Sequence, residues 1–528
     1  MKKTIYRICL ISAVLILNVT ISPAKGIDVI PYPQKVSVKN GTCDLSKGFY
    51  LKGNEARKSY IENLFTQEYG LALNPKGREI KLAIDKSISS NPEAYKLEVR
   101  ETGIEITAPA ENGLFYAVQT LRQLIKNKSV SCLSIEDQPR FEWRAYMLDE
   151  ARYFQGMETV KNMLDEMALL KMNTFHWHLT NDAGWRIEID GYPLLTEIGS
   201  RRDSSQINDN GKKWASTIYD GKVHQGFYTK AEIREIIDYA SQLYINIVPE
   251  VSMPGHASAA VASYPWLGTL KEDIKVPADF GVVKTVFNPA DERVMKFFRD
   301  VLTQVAELFP YKVIHIGGDE VKYDQWENSP EITEYMKKYD LETYSDVQVK
   351  FTNDISNFID KNLHKRMMGW NEILGKTIHE WSSAKNSTTE LSKNAIIHFW
   401  KGKADDFRYA INQGHQVVNS EHSYTYIDYT YRDISLSKAY HFDPIPDGLP
   451  KEQEKQVLGI GCQMWGEWTP SNLEVEYQTF PRIAAYAETG WTAKGNKDFN
   501  RFKNILPAFT ARWQKLGYNI PPMSEVDK

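Results

Sequence analysis

A repeated alternation of short apolar runs and helical patterns fills the chain beyond residue 139, and it constrains the fold more than any other feature. The apolar runs are continuous rather than interrupted by polar residues, which is typical of parallel strands covered on both faces. Eight of them occur, at residues 146–149, 174–179, 245–250, 313–318, 366–370, 395–400, 416–420 and 458–465. Helical patterns separate several of these runs, at residues 158–171, 230–243, 292–308, 345–363, 404–413 and 474–488. The pattern predicts an α/β fold, a (β/α)8 TIM barrel over residues 139–528.

Residues 27–138 lack this alternation and are predicted to fold separately. Strand-like segments lie at residues 48–52, 79–84, 95–99 and 103–107, and helical patterns at residues 60–69 and 113–125. This mixture predicts a small α+β domain ahead of the barrel. No group of its residues points to chemistry, so we expect it to pack beside the catalytic domain.

The first 24 residues have the three parts of a secretory signal peptide. Lys2, Lys3 and Arg7 form a basic start, residues 8–19 an apolar run, and residues 22–24 a small-residue cleavage site. The apolar run is too short to span a bilayer, and no later apolar segment is long enough to do so. We therefore expect a bacterial protein that is periplasmic or secreted, with no stable membrane insertion.

Charge and cysteine content exclude several function classes. The net charge is −4 and no basic stripe occurs, which argues against nucleic acid as a partner. Cys43, Cys132 and Cys462 follow the signal peptide, and their spacing is neither a disulfide framework nor a zinc motif. A single Cys43–Cys132 bond stays open. The 13 Trp and 29 Tyr suit either a large core or the apolar faces of sugar rings.

Polar and aromatic residues follow nearly every predicted barrel strand. In such barrels the chemistry lies at the carboxyl ends of the strands, so we expect these residues to meet around one mouth. They are Asp149, Glu150 and Arg152; His176, His178, Asn181 and Asp182; Glu250, Ser252 and His256; Asp319 and Glu320; Trp370, Asn371 and Glu372; Trp400 and Lys401; Glu421, Tyr426 and Asp428; and Trp465, Glu467 and Trp468. Carboxylates with tryptophans suit a carbohydrate, whereas a phosphate site would need glycine-rich amides and cations. A long insert at residues 184–228, rich in Gly, Asp, Ser and Asn, is predicted to be a loop over one end.

The adjacent carboxylates Asp319 and Glu320 are the strongest candidates for catalysis. They follow Gly317 and Gly318 at a predicted strand end. Glycosidic cleavage needs an acid for the leaving oxygen and a nucleophile or negative group below the anomeric carbon. Neighbouring residues point in different directions, so this pair cannot easily flank one bond from opposite sides. The pattern predicts Glu320 as the acid and Asp319 as the residue that orients a nucleophile carried by the substrate, such as a 2-acetamido carbonyl.

Several motifs resemble glycoside hydrolase family 20, the β-N-acetylhexosaminidases, and they keep that family's order. The segment most similar to the family signature is residues 315–320, and the other similar motifs are residues 143–154, 176–186, 253–256, 369–372, 426–428 and 465–467. Together they cover the barrel from Arg140 to about Trp491. Residues 27–138 resemble the small α+β domain that usually precedes such barrels.

The resemblance implies an exo-acting, retaining enzyme that removes terminal β-linked GlcNAc or GalNAc from glycans by substrate-assisted catalysis, without a cofactor or metal. Glu320 would be the general acid and then the base, and Asp319 would hold the acetamido N–H. The implied substrate-binding residues are Tyr426 at the acetamido carbonyl; Trp370, Trp400 and Trp465 around the acetamido group and under the sugar; Arg144 and Glu467 at the C3 and C4 hydroxyls; Asp428 near C6; and His256 behind Glu320. The place of Arg144, at the start of its predicted strand, rests on the resemblance alone.

Two positions depart from the family pattern. Asn181 stands where the family has the first Asp of an Asp-Asp pair, and Ser252 stands where it has Asp before Met-Pro-Gly-His. The family's Asp at the first position hydrogen-bonds the histidine that contacts the catalytic acid. We therefore expect His256 to be less basic here, with a shifted Glu320 pKa and pH optimum, unless Asp182 takes over that contact.

Two other functions stay open. A metal-dependent TIM-barrel hydrolase is one, because two histidines at i and i+2 share one face of a strand and further ligands lie nearby in the predicted barrel. Its candidate ligands are His176, His178, His256, His315 and Asp319. The other is a catalytically dead sugar-binding barrel, which the two departures would permit. The tryptophans at the strand ends would, on a purely structural interpretation, line the barrel core.

Overall fold

The computed structural model describes residues 26–53, 55–380 and 382–527. The signal peptide predicted at residues 1–24 lies outside these residues. Two sheets organise the described chain, a six-stranded sheet near its start and a larger sheet that follows it and closes on itself.

The N-terminal domain is a mixed sheet with two helices. Its strands are β1 (Lys35–Asp44), β2 (Phe49–Lys52), β3 (Arg78–Ile84), β4 (Tyr95–Arg100), β5 (Gly103–Ala108) and β6 (Ser129–Asp137), in the order β1-β6-β4-β5-β3-β2. Its helices are α1 (Glu55–Tyr69) and α2 (Glu111–Leu124). Every second residue of β5 is buried, as in a strand with one face on the core. Leu114, Val118 and Leu121 of α2 lie in the same core.

Eight parallel strands close into the barrel that follows. The strands of this part are β7 (Trp143–Asp149), β8 (Thr174–Asn181), β9 (Gly184–Trp185), β10 (Arg201–Arg202), β11 (His224–Gln225), β12 (Asn246–Val251), β13 (Val313–His315), β14 (Arg366–Trp370), β15 (Ile396–Phe399), β16 (Gln416–Asn419) and β17 (Val457–Met464). All except β9, β10 and β11 belong to the barrel, and the pairings β17–β7 and β8–β12 close it. The predicted TIM barrel preceded by a small α+β domain is therefore confirmed.

Most predicted barrel helices lie within a few residues of their predicted bounds. The helices are α3 (Met157–Leu169), α4 (Leu194–Glu197), α5 (Lys230–Gln242), α6 (Ser258–Ser263), α7 (Glu292–Leu308), α8 (Asp324–Glu327), α9 (Pro330–Tyr339), α10 (Tyr344–Lys361), α11 (Ala404–Asn412), α12 (His422–Thr425), α13 (Leu436–His441), α14 (Asn472–Thr479), α15 (Arg482–Trp491), α16 (Phe499–Lys515) and α17 (Met523–Val526). The single helix predicted at residues 474–488 is wrong. It is two helices, α14 and α15, because Pro481 has no N–H with which to continue the first.

The barrel interior is filled by layers of side chains. The apolar layer at the amino ends consists of Trp143, Ala145, Val248, Val313, Met368, Ile396, Val418 and Leu458. Polar residues lie above it, namely His176, His178, Glu250, His315 and His398, all buried. An apolar cluster of Met147 and three aromatic residues, Trp370, Tyr426 and Trp465, lies at the carboxyl ends. Barrels of this class usually fill their interior with branched aliphatic residues, so the polar layer is a departure.

The insertion at residues 184–228 is held over the carboxyl ends of the strands by a buried arginine. The Arg186 guanidinium donates hydrogen bonds to four backbone carbonyls, those of Glu150, Ala151, Ser200 and Gly226. These carbonyls belong to the end of β7 and to both halves of the insertion. A single side chain therefore ties the insertion to the barrel mouth.

Buried polar contacts join the N-terminal domain to the barrel. Asp137 Oδ2 accepts hydrogen bonds from Tyr95 Oη at 2.6 Å, Trp491 Nε1 at 2.9 Å and Lys171 Nζ at 3.2 Å. Since Lys171 precedes β8 and Asp137 ends β6, this charge pair spans the two domains. A buried pair of this kind favours one relative arrangement of the groups that form it.

Two further observations concern the chain as described. Cys43, Cys132 and Cys462 are buried free thiols, so the Cys43–Cys132 bond left open by the sequence is not formed. No helix within the described ranges has both the length and the apolar character that crossing a membrane requires.

Candidate active site

A cavity of about 410 Å³ opens at the carboxyl ends of the barrel strands. Its walls contain both predicted catalytic residues and five of the predicted substrate-binding residues, which are Trp400, Tyr426, Asp428, Trp465 and Glu467. The walls also contain residues that the sequence had not assigned to binding, which are Arg152, Trp214, Phe280, Gly281, Val282 and Tyr429. Residues from widely separated strand ends and two loops therefore share one cavity.

A larger cleft, of about 970 Å³, lies at the opposite end of the barrel, where the N-terminal domain meets the strand starts. Its walls mix both signs of charge, and some of these charges pair with one another, as Arg140 and Lys494 do with Asp443. Chemistry in such barrels lies at the carboxyl ends of the strands. The smaller cavity, which also gathers carboxylates and tryptophans, is therefore the candidate site.

The backbone at Asp319 and Glu320 is shaped by the two glycines before them. Gly317 and Gly318 have φ angles of 69° and 88°, and a Cβ atom on Gly318 would lie 2.4 Å from Ile373. The strand β13 therefore ends at His315, earlier than predicted. Glu320 itself has a φ of 52°, a left-handed conformation that is costly for a residue other than glycine. Such strain persists where the surroundings hold it, and it is frequent at active sites.

Glu320 is a carboxyl group favoured in its protonated form. Burial raises the pKa of Glu320, and the neighbouring Asp319 carboxylate raises it further, while His256 opposes the shift. A raised pKa keeps the proton available at a pH where ordinary carboxyls have lost theirs. The group therefore suits the role of a general acid.

His256 lies between three carboxylates. Its Nδ1 is 2.8 Å from Asp182 Oδ2, and its Nε2 is 3.4 Å from Asp319 Oδ2 and 3.7 Å from Glu320 Oε2. Although burial opposes it, the carboxylates of Asp319 and Asp182 raise the pKa of His256 well above its ordinary value. His256 is therefore an imidazolium that contacts both predicted catalytic residues.

Of the two outcomes left open at Asn181, the structure shows the second: Asp182 takes over the contact with His256, which is not made less basic. Asn181 faces His178, with its Nδ2 3.0 Å from His178 Nε2, and Asp182 takes the place beside His256. Ser252, the second departure, bonds instead to the end of β8, where its hydroxyl donates to the Thr180 carbonyl at 2.9 Å. Asp182, the residue after Asn181, thus supplies the negative charge beside His256.

The prediction that Arg144 lies in the site is also wrong. Arg144 is at the start of β7, buried at the other end of the barrel, where its guanidinium forms two hydrogen bonds of 2.9 Å to Glu93. Arg152, just beyond the end of β7, lines the cavity instead and pairs with Asp149 at 2.9 Å and Glu467 at 3.6 Å. The strand-end rule already included Arg152, so this residue was readable from the sequence.

Aromatic side chains form the floor and one wall of the cavity. Trp370, below the cavity lining, is buried and donates its indole N–H to Glu250 at 3.0 Å, and Trp400 donates to Glu372 at 2.9 Å. The rings of Trp400 and Tyr426 are parallel within 8°, with centroids 5.9 Å apart. Burial, with Tyr429 and Asp319 nearby, raises the pKa of Tyr426 well above its usual range, so its hydroxyl stays a donor.

A second pair of acidic residues lies across the cavity. Burial raises the pKa of Asp428 well above its ordinary value, and the nearby Glu467 carboxylate adds to the shift. Glu467 contacts the Arg152 guanidinium, whereas Asp428 Oδ1 has no hydrogen-bond partner among the described residues. Asp428 therefore holds polar capacity that a ligand with hydroxyl groups would satisfy.

Two loops complete the cavity and were not predicted as part of it. Trp214 comes from the insertion and packs against Trp468, with ring centroids 5.8 Å apart. Phe280 comes from the segment after β12, and its N–H donates to Gln206 Oε1 at 3.1 Å. Gln206 also donates to the Ser216 carbonyl at 2.7 Å, so it joins the two loops. The available signal was a tryptophan within a polar loop predicted to cover one end.

The distances among the histidines do not favour a metal site. His176 Nε2 and His178 Nδ1 lie 2.7 Å and 2.8 Å from Glu250 Oε2. Two ligand atoms around a tetrahedral zinc would be about 3.3 Å apart, given bond lengths of roughly 2.0–2.1 Å. His315 Nδ1 already accepts the Gly317 N–H at 3.0 Å. His176 and His178 thus contact Glu250 directly, too closely for an ion to lie between them and the carboxylate oxygen.

Comparison with known families and proteins gives a consistent match. Two family models match the chain. The model described as "Glycosyl hydrolase family 20, catalytic domain" matches residues 141–494, and the model described as "Glycosyl hydrolase family 20, domain 2" matches residues 26–138. A β-hexosaminidase of Porphyromonas gingivalis is 31% identical over 94% of this chain, and the match spans 65% of that protein's length. A β-hexosaminidase of Vibrio furnissii is 31% identical over 89% of this chain and 77% of its own.

Solved structures match the fold as well. The structure of an exo β-N-acetylglucosaminidase from Vibrio harveyi, in complex with N-acetylglucosamine, superposes with a TM-score of 0.80. It is 30% identical and covers 94% of this chain and 78% of that one. A β-N-acetylhexosaminidase structure from Bacteroides fragilis gives a TM-score of 0.78 at 27% identity, covering 94% and 97% of the two chains.

Proposed function

Since the chain belongs to glycoside hydrolase family 20, we propose that it is a β-N-acetylhexosaminidase that removes terminal β-linked GlcNAc or GalNAc from glycans. The observation that carries this proposal is the pair of adjacent carboxylates, Asp319 and Glu320, which share the His256 imidazolium at an aromatic cavity. A sugar-binding barrel without activity would have no need of this arrangement.

Glu320 acts as the acid and then as the base. Its raised pKa keeps it protonated until the glycosidic oxygen needs a proton, and the His256 imidazolium stabilises the carboxylate that results. In the second half of the reaction the same carboxylate takes a proton from the attacking water. This exchange of roles is the usual behaviour of the acid in retaining glycosidases.

The nucleophile is the carbonyl oxygen of the substrate's own 2-acetamido group. An oxygen of Asp319 and an oxygen of Glu320 approach the same nitrogen, His256 Nε2, at 3.4 Å and 3.7 Å, which supports roles other than an acid and a nucleophile on opposite sides of one bond. Asp319 accepts the acetamido N–H and stabilises the positive charge that develops there. The Tyr426 hydroxyl donates to the acetamido oxygen, and attack followed by hydrolysis retains the β configuration.

The proposed exo action is supported by the residues at one end of the cavity. Arg152 and Glu467, paired at 3.6 Å, wall this end, and Trp214 lies over it through its contact with Trp468. Hydroxyl groups at C3 and C4 of a terminal sugar would bond to these charges. A further sugar attached at C3 or C4 would collide with the cavity wall formed by Arg152 and Glu467. The similar Vibrio harveyi enzyme is named as an exo β-N-acetylglucosaminidase, which agrees with this proposal.

A series of aryl β-glycosides that differ only at C2 tests this function. We expect turnover of the 2-acetamido substrate and little or none of the plain glucoside, because the latter lacks the nucleophile. Replacing one, two or three hydrogens of the acetamido methyl group by fluorine should slow turnover progressively, since each fluorine weakens the carbonyl oxygen as a nucleophile. Equal rates across the fluorinated series, with chemistry rate-limiting, or a glycosyl ester trapped on Asp319, would refute the mechanism.

We also propose that the enzyme is exported, on the basis of its first 24 residues. Fractionation of cells that express the full chain should recover activity outside the cytoplasm, with the mature protein beginning near Lys25. Activity confined to the cytoplasm with Met1 retained would contradict this.

A further inference from the structure

The polar layer inside the barrel lies directly beneath the aromatic floor of the cavity. It consists of His176, His178, Glu250, His315 and His398, none of which is more than 2% exposed. The proposed reaction uses none of these side chains. A buried carboxylate is costly unless other groups pair with it, so its presence in a barrel core calls for a reason.

Glu250 is the centre of this layer. Its Oε1 accepts the Trp370 indole N–H at 3.0 Å, and its Oε2 lies 2.7 Å from His176 and 2.8 Å from His178. Burial alone would raise the pKa of Glu250, but the neighbouring histidines, His178 first, hold it well below the usual range. The carboxylate is therefore charged, which makes it a strong acceptor for an indole N–H.

The same layer contacts two tryptophans of the cavity. His398 stacks on Trp370, with centroids 4.1 Å apart and ring planes within 16°. His178 meets Trp465 edge to face at 5.1 Å. Trp370 and Trp465 are themselves 5.7 Å apart. Glu250 thus reaches Trp370 directly, and it reaches Trp465 through His178.

We propose that Glu250 is a positioning residue that fixes Trp370 and Trp465, and thereby sets the size of the space for the 2-acyl group. Apolar contacts alone have little directional preference for the orientation of an indole ring. A hydrogen bond from the indole N–H to a fixed acceptor restricts both side-chain torsions of the tryptophan. The acyl carbonyl must approach the anomeric carbon closely and in line, so a small displacement of this floor slows the reaction. This inference rests on the proposed function, in which the acyl group is the nucleophile.

Variants at Glu250 provide the first part of the test. Glu250→Gln keeps an oxygen acceptor for Trp370 and offers an N–H to the histidines, whereas Glu250→Leu removes both. The measurement is kcat and KM for 4-nitrophenyl glycosides bearing a 2-acetamido or a 2-propionamido group. We expect Glu250→Leu to lose kcat by at least about tenfold and to lose several-fold of the preference for acetyl over propionyl. Glu250→Gln should keep the wild-type preference within about twofold.

Two further variants separate positioning from stability. Trp370→Phe keeps a ring but removes the N–H, and it should lose the acyl preference as Glu250→Leu does, even if Glu250→Leu fails to fold. Glu166→Gln is the matched control, because Glu166 is also buried, accepts an indole N–H from Trp513 at 2.8 Å and pairs with Arg512, outside the cavity lining. It should leave the preference unchanged.

The outcomes distinguish this inference from the proposed function. Turnover of the acetamido substrate by the wild-type enzyme tests the function, and the acyl preference of the variants tests the role of Glu250. A wild-type preference in Trp370→Phe, or in folded Glu250→Leu, would overturn the positioning role. So would a Glu250→Gln enzyme as impaired as Glu250→Leu, because the retained acceptor should rescue it.

Discussion

Glu320 combines a left-handed backbone with a carboxyl group whose pKa is raised by burial. The left-handed φ of 52° follows two glycines that allow β13 to end early, and it turns the side chain toward the cavity. Burial then favours the protonated form. Backbone strain and proton retention at one residue are both expected of a general acid that serves a single direction of attack.

Replacing Glu320 by Gln keeps the size of the side chain and removes the transferable proton. We expect kcat to fall by about 10²–10⁴-fold on a natural disaccharide, which is the usual contribution of general acid catalysis. An aryl glycoside with a good leaving group should lose less, because its leaving oxygen needs less protonation. Steady-state kinetics on both substrates measure the difference, and an equal loss on both would argue that Glu320 is not the acid.

Replacing Asp182 by Asn should move the pH profile toward higher pH. Asp182 helps to raise the pKa of His256, so its loss leaves His256 neutral over more of the working range. A neutral His256 no longer lowers the pKa of Glu320. The acid then keeps its proton to higher pH, and the basic limb of kcat/KM shifts upward.

The control for this variant is Asp165→Asn, since Asp165 also accepts a side-chain hydrogen bond, from Tyr239 at 2.7 Å, but lies on α3 outside the cavity. The basic limb of the kcat/KM profile of Asp165→Asn should coincide with that of the wild-type enzyme. An Asp182→Asn limb that is unmoved, or that moves to lower pH, would contradict the charge relation between His256 and Glu320.

At the scale of elements, the insertion at residues 184–228 is the part that shapes the closed end of the cavity. Arg186 anchors it through backbone carbonyls, and Gln206 joins it to the segment that carries Phe280. Its tip presents Trp214, which remains 52% exposed although it lines the cavity. A half-exposed indole in the wall of the cavity has an apolar face of the kind that suits a pyranose ring.

Replacing Trp214 by Ala should remove part of the cavity wall that the insertion supplies. We expect KM for a terminal aryl N-acetylglucosaminide to rise by roughly five- to thirtyfold, equivalent to ~1–2 kcal/mol of lost contact. Release of an intact disaccharide from an aryl chitobioside should become detectable, as measured by product chromatography. Tyr339→Ala removes an aromatic of similar exposure, 40%, far along the chain on α9 and should change neither quantity. Unchanged KM and no disaccharide product from Trp214→Ala would contradict the role of the insertion.

At the scale of the whole molecule, two of the groups of buried polar side chains stand out, one at the domain junction and one inside the barrel. The junction contains the Lys171–Asp137 pair, and burial there lowers the pKa of Lys171 to about 8. The barrel interior contains the layer around Glu250. In both places polar partners lie in contact, as Lys171 does with Asp137 and as Trp370 does with Glu250, and such pairing offsets part of the cost of burying charge.

Prolonged chelation should leave both activity and thermal stability unchanged. His176 and His178 contact Glu250 at distances too short for an intervening ion. The wild-type enzyme would be dialysed against EDTA, then assayed and melted beside an untreated sample, with a zinc-dependent hydrolase as the positive control. Activity lost on chelation and restored by zinc would favour the metal-dependent alternative.

The sequence by itself determined the barrel, the domain that precedes it, and the two adjacent carboxylates at the barrel mouth. These follow from local features, because hydrophobic periodicity reports which segments are buried, and residues after Gly317 and Gly318 must lie at a strand end. The resemblance to a known family was not needed to place Asp319 and Glu320 at the mouth. The loop predicted over one end was also correct as to its location, since the insertion does cover the cavity.

Only the tertiary structure decided which side chains complete the site. Arg144 and Arg152 lie eight residues apart on opposite ends of β7, and only Arg152 meets Glu467 from the last strand. Asp182 rather than Asn181 faces His256, because neighbouring side chains leave the backbone in different directions and the chain path selects between them. Trp214 reaches the cavity across a loop held by long-range hydrogen bonds. Periodicity is a local property, whereas these contacts depend on how distant segments pack.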